Sequence, residues 1–473
     1  MNYSKKATSA ILGALTLMMP GIHQAKAGEG QADKSKPNFI LILADDLGFG
    51  DLSYNGSSQI KTPNIDKLAK TGVMCSHGYV SAPVCSPSRA GIMTGRNQVS
   101  FGHDNNIGGS QKGFDPNYLG LPVTETTIAD RLGKLGYVNG LIGKWHLGEK
   151  PHFHPLKRGF HEFWGYTGGG HDYFTQKPDG RGYQSPIECN YKKPQPITYI
   201  TDDKGDECVD FIKRHKKEPF FLFASFNAPH APMQATKEDL ELYKHVKDKK
   251  RRTYCGMVHR LDVNVGKILK TVEKEGLTDN TVIVFLSDNG GPVNSNGSLN
   301  APLNGQKGIL MEGGMHVPFI MSWKGKLPAG KVYDKPVISL DLASTFVQLA
   351  GGTVTPEDKL DGVNLVPYLD GSNMATPHEE LKWRFTISAA IRIGDWKLIR
   401  LPDRFPMLFN LKDDLSEQND VAMQHIEKTK AMLKKLGQWD VVQPHPVFLE
   451  GPVWRKNQVS LYDLDYELDQ PKK

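Results

Sequence analysis

Two pairs of oxygen-bearing side chains stand directly behind long apolar runs of the chain. Asp45 and Asp46 follow one run, and Asp288 and Asn289 follow another. Such runs are typical of buried strands, and open α/β sheets hold their ligands at the carboxyl ends of strands. Oxygen donors suit a hard cation such as calcium or magnesium better than zinc, and calcium tolerates a larger and more variable coordination. Taken alone, acidic pairs of this kind are more typical of solvated turns or helix caps, and if they hold a cation, calcium is the choice.

A cysteine stands where a helix is predicted to begin. Cys85 is followed by Pro87 and Arg89 in a segment that continues to Arg96. Proline suits the first turn of a helix, so Cys85 would lie at the positive end of the helix dipole, which favours negative charge. A lone cysteine in such a position is more often a buried structural residue.

Three further polar side chains follow predicted strands. Lys144 and His146 are two apart in an extended segment, so their side chains point the same way. His230 lies between Pro229 and Pro232, which restrict the backbone around it. Taken singly, each is more typical of a surface lysine or a packed histidine.

Together these residues resemble the signature of the type I sulfatases, which belong to the alkaline phosphatase superfamily. The resemblance rests on the Cys-x-Pro-x-Arg segment beginning at Cys85, with Thr94, Gly95 and Arg96 behind it. In that family the cysteine is oxidised after translation to formylglycine, and a hydroxyl of the hydrated aldehyde attacks sulfur. The resemblance implies that Cys85 is the precursor of the nucleophile and that a formylglycine-generating maturation enzyme acts on it.

The resemblance also implies a complete site. The implied ligands of one calcium ion are Asp45, Asp46, Cys85, Asp288 and Asn289. The implied catalytic residues are Cys85, Arg89, Lys144, His146, His230 and Lys307. Arg89, Lys144 and Lys307 would stabilise charge on the sulfate oxygens. His230 would protonate the departing alcohol oxygen, and His146 would help to deprotonate the second hydroxyl of the hydrate.

Residues 159–174 are rich in glycine and aromatic side chains, which favours a loop that carries a binding surface. This stretch resembles loops of bacterial carbohydrate sulfatases, so we expect His171 and Asp172 to contact the substrate. The alternative is a loop packed by its own aromatic rings. Glu312 and His316, in the last matched motif, are interpreted as structural.

The apolar and amphipathic segments alternate along the chain, as in an α/β fold. Helices are predicted over residues 64–72, 124–136, 203–217, 251–276, 341–349 and 426–437. Strands are predicted over residues 37–44, 73–80, 138–142, 219–226, 281–287, 317–323, 387–401 (as a hairpin) and 407–410. The resemblance implies an alkaline phosphatase-like core, in which helices sandwich a large mixed, mostly parallel sheet. It also implies a smaller C-terminal subdomain with a four-stranded antiparallel sheet and a helix.

The N-terminal residues 1–27 have a basic start, a short apolar run and an Ala-Lys-Ala end, which predicts a secretory signal peptide. We therefore expect an exported protein, periplasmic or extracellular, with a catalytic domain over 28–375 and the C-terminal subdomain over 376–473. Removing the signal's three lysines reduces the net charge of +6 to +3, too mild for nucleic-acid binding. No later run reaches the length of a membrane span, so no membrane partner is expected.

Five cysteines are an odd number for an exported chain. Conversion of Cys85 leaves four cysteines, and among these Cys189 and Cys208 are the favoured candidates for a disulfide. Spacing alone does not determine the pairing, and free buried thiols are the default for an enzyme with so few cysteines.

The predicted activity is hydrolysis of sulfate esters on a sulfated oligo- or polysaccharide. Export and the aromatic loop favour a carbohydrate over a small aryl sulfate, with carrageenan or another sulfated galactan first and glycosaminoglycans next. Two alternatives stay open. One is hydrolysis of phosphate or phosphonate esters, as in related members of the superfamily. The other is a sulfated-glycan binding protein in which Cys85 remains a thiol.

Overall fold

The first long apolar run forms the strand at the centre of the main sheet. The computed structural model describes residues 36–108, 113–192, 196–450, 456 and 460–462. Its strands are β1 (Asn38–Ala44), β2 (Val73–Cys75), β3 (Gly78–Tyr79), β4 (Val138–Lys144), β5 (Glu162–Tyr166), β6 (Glu188–Cys189), β7 (Phe220–Ser225), β8 (Thr281–Ser287), β9 (Phe319–Ser322), β10 (Lys331–Tyr333), β11 (Val337–Ile338), β12 (Glu380–Phe385), β13 (Ser388–Ile393), β14 (Trp396–Arg400) and β15 (Met407–Asn410).

The main sheet has nine strands in the order β10-β2-β9-β8-β1-β7-β4-β5-β6 among the described residues. Strands β8, β1, β7, β4 and β5 run parallel, whereas β9 and β6 pair antiparallel with their neighbours. Ala44 pairs with Ser287, so β1 and β8 end side by side. This mixed, mostly parallel sheet confirms the predicted fold class.

Helices cover both faces of this sheet. They are α1 (Pro63–Thr71), α2 (Cys85–Thr94), α3 (Ile128–Lys134), α4 (Ile200–His215), α5 (Lys237–Leu242), α6 (Lys249–Lys274), α7 (Val293–Asn296), α8 (Glu312–Met315), α9 (Asp341–Leu349), α10 (Val366–Asp370) and α11 (Ile426–Asp440). Alternate residues of β1 enter different cores: Phe39 lies in one, which includes Met93 of α2, and Ile40 in the other, which includes Leu261 of α6. A strand buried on both faces explains the continuous apolar run.

Two sequence predictions differ from the structure. The segment 159–174 is not a loop throughout, because Glu162–Tyr166 forms β5, parallel to β4. Its glycines concealed a strand in which Gly165 lies so close to the backbone of Gly143 that a Cβ there would be 2.0 Å from the carbonyl oxygen. The segment 73–80 forms two short strands, β2 and β3, that join different sheets.

The C-terminal part of the described chain forms a second layer. Strands β12 to β15 make a four-stranded antiparallel sheet, and α11 packs Met432 and Leu436 against its small core. This confirms the predicted antiparallel sheet and helix. The boundary at residues 375 and 376 stays a prediction.

A buried charge network joins this second layer to the main domain. Lys397 of β14 pairs with Glu312 and with Glu417, both at 2.8 Å, and all three side chains are fully buried. Glu312 also accepts a hydrogen bond from the Tyr79 hydroxyl (2.6 Å) and lies 2.9 Å from His316 Nδ1. These contacts agree with the structural role expected for Glu312 and His316.

All five cysteines are free thiols, which corrects the favoured pairing of Cys189 with Cys208. Cys208 is buried in α4 and Cys189 is half-buried in β6, in keeping with the alternative of free thiols. Within the described ranges, no helix is long and apolar enough to cross a membrane. The predicted signal peptide lies outside the described residues.

Candidate active site

The carboxyl ends of two neighbouring strands deliver four of the predicted polar residues to one edge of the sheet. Asp45 and Asp46 follow β1, and Asp288 follows β8 and accepts a hydrogen bond from the backbone N–H of Asp46 (3.3 Å). Asn289 donates to Asp46 Oδ1 (2.7 Å). Asp46 has a left-handed backbone (φ 65°), a conformation that is uncommon outside glycine and clusters at functional sites.

Cys85 lies at the N-terminus of α2 and faces the carboxylates of Asp45 and Asp46. Its Sγ is 3.3 Å from Asp45 Oδ1 and 3.9 Å from Asp46 Oδ1. Every residue of α2 is buried. The residue at position 85 is thus held rigidly at the positive end of a buried helix, with two carboxylates beside it.

Two lysines complete the ring of charge around Cys85. Lys307 Nζ lies 3.0 Å from Cys85 Sγ and 2.6 Å from Asp46 Oδ1. Lys144 Nζ pairs with Asp45 Oδ2 at 2.5 Å. Burial alone would raise the pKa of Asp45, but Lys144, with smaller contributions from other cations, lowers it well below its ordinary value. Asp45 is therefore ionised, with Lys144 paired to it and Lys307 paired to the neighbouring Asp46.

The same surroundings lower the pKa of Asp45 but raise the pKa of the Cys85 thiol. Burial, followed by the carboxylates of Asp288 and Asp45, raises its pKa well above the ordinary value. Burial opposes the charged form of Lys307, but the carboxylates, led by Asp46, outweigh burial and raise the pKa of this ammonium. Reactive cysteines have a lowered thiol pKa, so the unmodified thiol is poorly suited to act as a nucleophile.

Arg89, one turn further along α2, reaches the same cluster. Its Nε donates to Asp288 Oδ2 (2.8 Å) and its Nη1 donates to Ser225 Oγ (2.7 Å). Its Nη2 is buried and lies 3.5 Å from Asp45 Oδ2, without a hydrogen-bond partner among the described residues. One end of the guanidinium is fixed, and the other keeps a donor for an anion.

The two histidines differ in how their rings are held. His146 has a left-handed backbone (φ 59°), and its Nε2 lies 2.9 Å from the Ile107 carbonyl, which assigns the proton to Nε2. Its Nδ1 is buried without a hydrogen-bond partner in the described chain. His230 has Nδ1 2.6 Å from the Ala231 carbonyl, so its Nε2 faces Asp46 Oδ2, 3.7 Å away. Burial lowers the pKa of both histidines.

The residues at this edge fit a hard cation. One potential ligand atom from each of Asp45, Asp46, Cys85 and His230 lies within 4.8 Å of the others. Asn289 Oδ1 is buried and has no hydrogen-bond partner in the described chain. Burial, with Asp45 adding to it, raises the pKa of Asp288 to about 7, although Arg89 and Lys144 oppose the shift. An oxygen-rich set with an unsatisfied amide oxygen suits calcium or magnesium.

His171 and Asp172 are held by contacts within their own region. His171 is buried, with Nδ1 and Nε2 at 2.6 and 2.7 Å from the carbonyls of Asp172 and Ser185. Asp172 accepts hydrogen bonds from the Phe174 N–H (2.9 Å), the Thr175 N–H (2.8 Å) and Gln234 Nε2 (2.8 Å). None of these hydrogen bonds reaches the Cys85 cluster, and contact of His171 and Asp172 with the substrate stays a prediction.

Sequence reasoning missed two residues at the mouth of the site. The ring of Tyr183 is 6.3 Å from that of His230, and Glu450 accepts a hydrogen bond from the Asn106 N–H (2.8 Å). Asn106 in turn accepts from the N–H of Ser86, next to Cys85. Tyr183 lies in a short 3-10 helix (Gly182–Gln184), and Glu450 lies outside the described helices and strands. Neither residue follows a motif, so only the folded chain reveals their position.

This sheet, with its polar residues at the strand ends, is an alkaline phosphatase-like fold, and comparisons with known proteins define the class further. The family model described as Sulfatase matches residues 37–352. The model described as N-sulphoglucosamine sulphohydrolase, C-terminal, matches residues 306–440. The chain belongs to the sulfatase family.

Named relatives and solved structures agree. N-acetylgalactosamine-6-sulfatase of Homo sapiens is 35% identical over 348 residues, which are 70% of this chain and 66% of that protein. Arylsulfatase D of Homo sapiens is 33% identical over 428 residues, covering 74% of this chain and 71% of that protein. The crystal structure of Ps i-CgsB in complex with k-i-k-neocarrahexaose has a TM-score of 0.83 at 38% identity and covers 91% of this chain and 98% of that one. The protein is therefore a sulfuric ester hydrolase.

Proposed function

We propose that this sulfatase is exported and hydrolyses sulfate esters on a sulfated carbohydrate, with carrageenan or another sulfated galactan as the first candidate and glycosaminoglycans as the second. The observation that carries the proposal is the position of Cys85 Sγ, 3.3 Å from Asp45 and 3.0 Å from Lys307, at the start of a buried helix. A nucleophile at that point would meet an anion surrounded by fixed cations.

The chain's own side chains account for sulfate binding. Lys144, Lys307 and Arg89 Nη2 face the space around Cys85, where charge develops on the sulfate oxygens. Because these groups are buried, they interact more strongly with an anion than they would in water and need little reorganisation. When present, formylglycine at position 85 would supply a hydroxyl nucleophile, and a calcium ion held by Asp45, Asp46, Asp288 and Asn289 would supply further positive charge.

Proton transfers fall to the two histidines. His230 Nε2 faces the cluster and, when protonated, would give its proton to the alcohol oxygen as the sulfur–oxygen bond of the ester breaks. His146 Nδ1 is the ring nitrogen free to take a proton from the residue at position 85 during release of sulfate. The net reaction consumes one water and yields the alcohol, inorganic sulfate and a proton.

The choice of carbohydrate rests on two observations. A sulfatase structure at 38% identity was solved with a carrageenan oligosaccharide, and a relative at 35% identity is an N-acetylgalactosamine-6-sulfatase. The second observation ranks glycosaminoglycans next.

Sulfate release from defined substrates tests the proposal. The matured enzyme is incubated with carrageenan oligosaccharides, glycosaminoglycan disaccharides, an aryl sulfate and a matched phosphonate ester. We expect fastest release from one sulfated carbohydrate class. Preference for the phosphonate ester would contradict the proposal, as would absence of release from every sulfated carbohydrate by an enzyme whose formylglycine is verified by mass spectrometry.

Removal of divalent cations should stop turnover, because Asp45, Asp46 and Asp288 would then repel both one another and the sulfate. A chelator is expected to lower the rate of sulfate release by about a hundredfold or more. Added calcium should restore the rate, and a measured stoichiometry of one calcium ion per chain is expected. Full activity in a protein shown to be free of metal would contradict this assignment.

A further inference from the structure

The groups that surround Cys85 are buried, so they explain recognition of a sulfate but not of the sugar attached to it. Tyr183 is different, because its side chain is 44% exposed while its ring lies 6.3 Å from the His230 ring, tilted by 68°. A large aromatic residue in a short turn of an exposed loop adds little to the core. Its place at the mouth of the site calls for another explanation.

Tyr183 is fixed in this position by its neighbours. Its carbonyl accepts a hydrogen bond from the Asp172 N–H (2.7 Å). Its ring packs on the backbone of Gly170, where a Cβ would lie 2.7 Å from two ring atoms. The hydroxyl of Tyr173 lies 2.8 and 2.9 Å from the carbonyls of Asn227 and His230, which ties the two loops together. The ring is therefore preorganised relative to His230.

The ring also lies within electrostatic reach of the catalytic residues. Burial of the phenol raises the pKa of Tyr183, Lys144 and Lys307 oppose that shift, and Asp45 adds to it. The phenol therefore stays neutral and keeps a hydroxyl that donates and accepts hydrogen bonds.

We propose that Tyr183 forms one wall of the sugar subsite on the leaving-group side. Its ring would pack on the apolar face of the sugar that bears the sulfate, and its hydroxyl would bind a neighbouring sugar hydroxyl. This inference rests on the proposed function, in which His230 protonates the sugar oxygen, because an aromatic ring beside His230 would then lie beside that sugar. Tyrosine suits such a site because it offers a rigid apolar face with a polar tip.

The test compares Tyr183→Ala with Tyr183→Phe, using a carrageenan hexasaccharide and chondroitin sulfate disaccharides as probes. For the probe that the wild type desulfates, Tyr183→Ala should raise KM by about tenfold, because the surface on which the sugar packs is lost. Tyr183→Phe should keep most of the affinity. Inhibition by inorganic sulfate, which occupies only the charged pocket, should be the same in all three proteins.

A matched control comes from the same loop. Phe174 is 40% exposed, but its ring packs on Tyr199 (5.0 Å between centroids) rather than on His230. Phe174→Ala should leave KM close to the wild-type value. An equal rise in KM for Phe174→Ala and Tyr183→Ala would overturn the proposal, since it would indicate general loosening of the loop.

Binding separates this inference from the proposed function. Calorimetry with the same probes is run on Cys85→Ser and on Cys85→Ser with Tyr183→Ala, neither of which needs to turn over. Weaker binding by the double variant supports the sugar subsite, whether or not the matured wild type releases sulfate. Absence of sulfate release by the matured wild type would contradict only the proposed function. Equal binding by both variants, or sulfate release with an unchanged KM in Tyr183→Ala, overturns the inference alone.

Discussion

Cys85→Ser is expected to lower sulfate release by about four orders of magnitude or more, while the protein still folds. Serine lacks the thiol from which formylglycine is proposed to form at this position, so the variant would lack the aldehyde hydrate. Its hydroxyl could keep the polar contact that the thiol makes with Asp45 at 3.3 Å. Sulfate release and thermal unfolding of wild type and variant, purified in the same way, check both statements.

Cys255→Ser provides the matched control for this experiment. Cys255 is also a fully buried thiol, but it lies in α6 within the core on one face of the sheet. The same chemical change there should lower stability modestly and leave the turnover number near the wild-type value. Normal turnover by Cys85→Ser would refute the role given to Cys85.

Lys397→Met is expected to lower the free energy of unfolding by about 3–5 kcal/mol. The substitution removes the cation that pairs with Glu312 and Glu417 at 2.8 Å and leaves two buried carboxylates facing each other. Chemical denaturation of the purified variant measures the loss. Lys430→Met is the control, since Lys430 pairs with Glu427 on the exposed side of α11, where ion pairs contribute little.

The loss of unfolding free energy caused by Lys397→Met should grow as the pH rises. Burial raises the pKa of Glu417 from its ordinary 4.5 to about 7, although Lys397 opposes this shift. The folded protein therefore holds a proton that the unfolded chain releases, and stability from this group falls as pH rises through that window. Without Lys397 the pKa of Glu417 rises further, so Lys397→Met should be more destabilising at pH 8 than at pH 6. A loss below about 1 kcal/mol at pH 8 would contradict the network's role.

Strand-end residues were the part of the site that could be predicted from the sequence. Asp45 and Asp288 follow continuous apolar runs, and the parallel pairing of β1 with β8 brings them together at one edge. Lys307 follows no strand, and His230 lies on a loop beyond the end of β7, so the strand ends alone do not place either residue. Only the resemblance to sulfatases placed them near Cys85.

Loops limited the rest of the prediction. The order of glycine and aromatic residues in 159–174 concealed β5, because a strand packed closely on β4 needs glycine for steric reasons. Tyr183 gave no signal, because its position depends on how the loop folds back on Gly170. Long-range charge pairing, as between Lys397 and Glu312, is equally invisible in the sequence.

The burial of α2 sets an order of events in the life of the protein. Cys85 is 1% exposed and every residue of α2 is buried, so a second protein has no direct contact surface at this cysteine in the folded chain. An enzyme that converts Cys85 would have to meet the segment while it is still an open chain. Folding and maturation would then compete in time, and a molecule that folded first would keep the thiol.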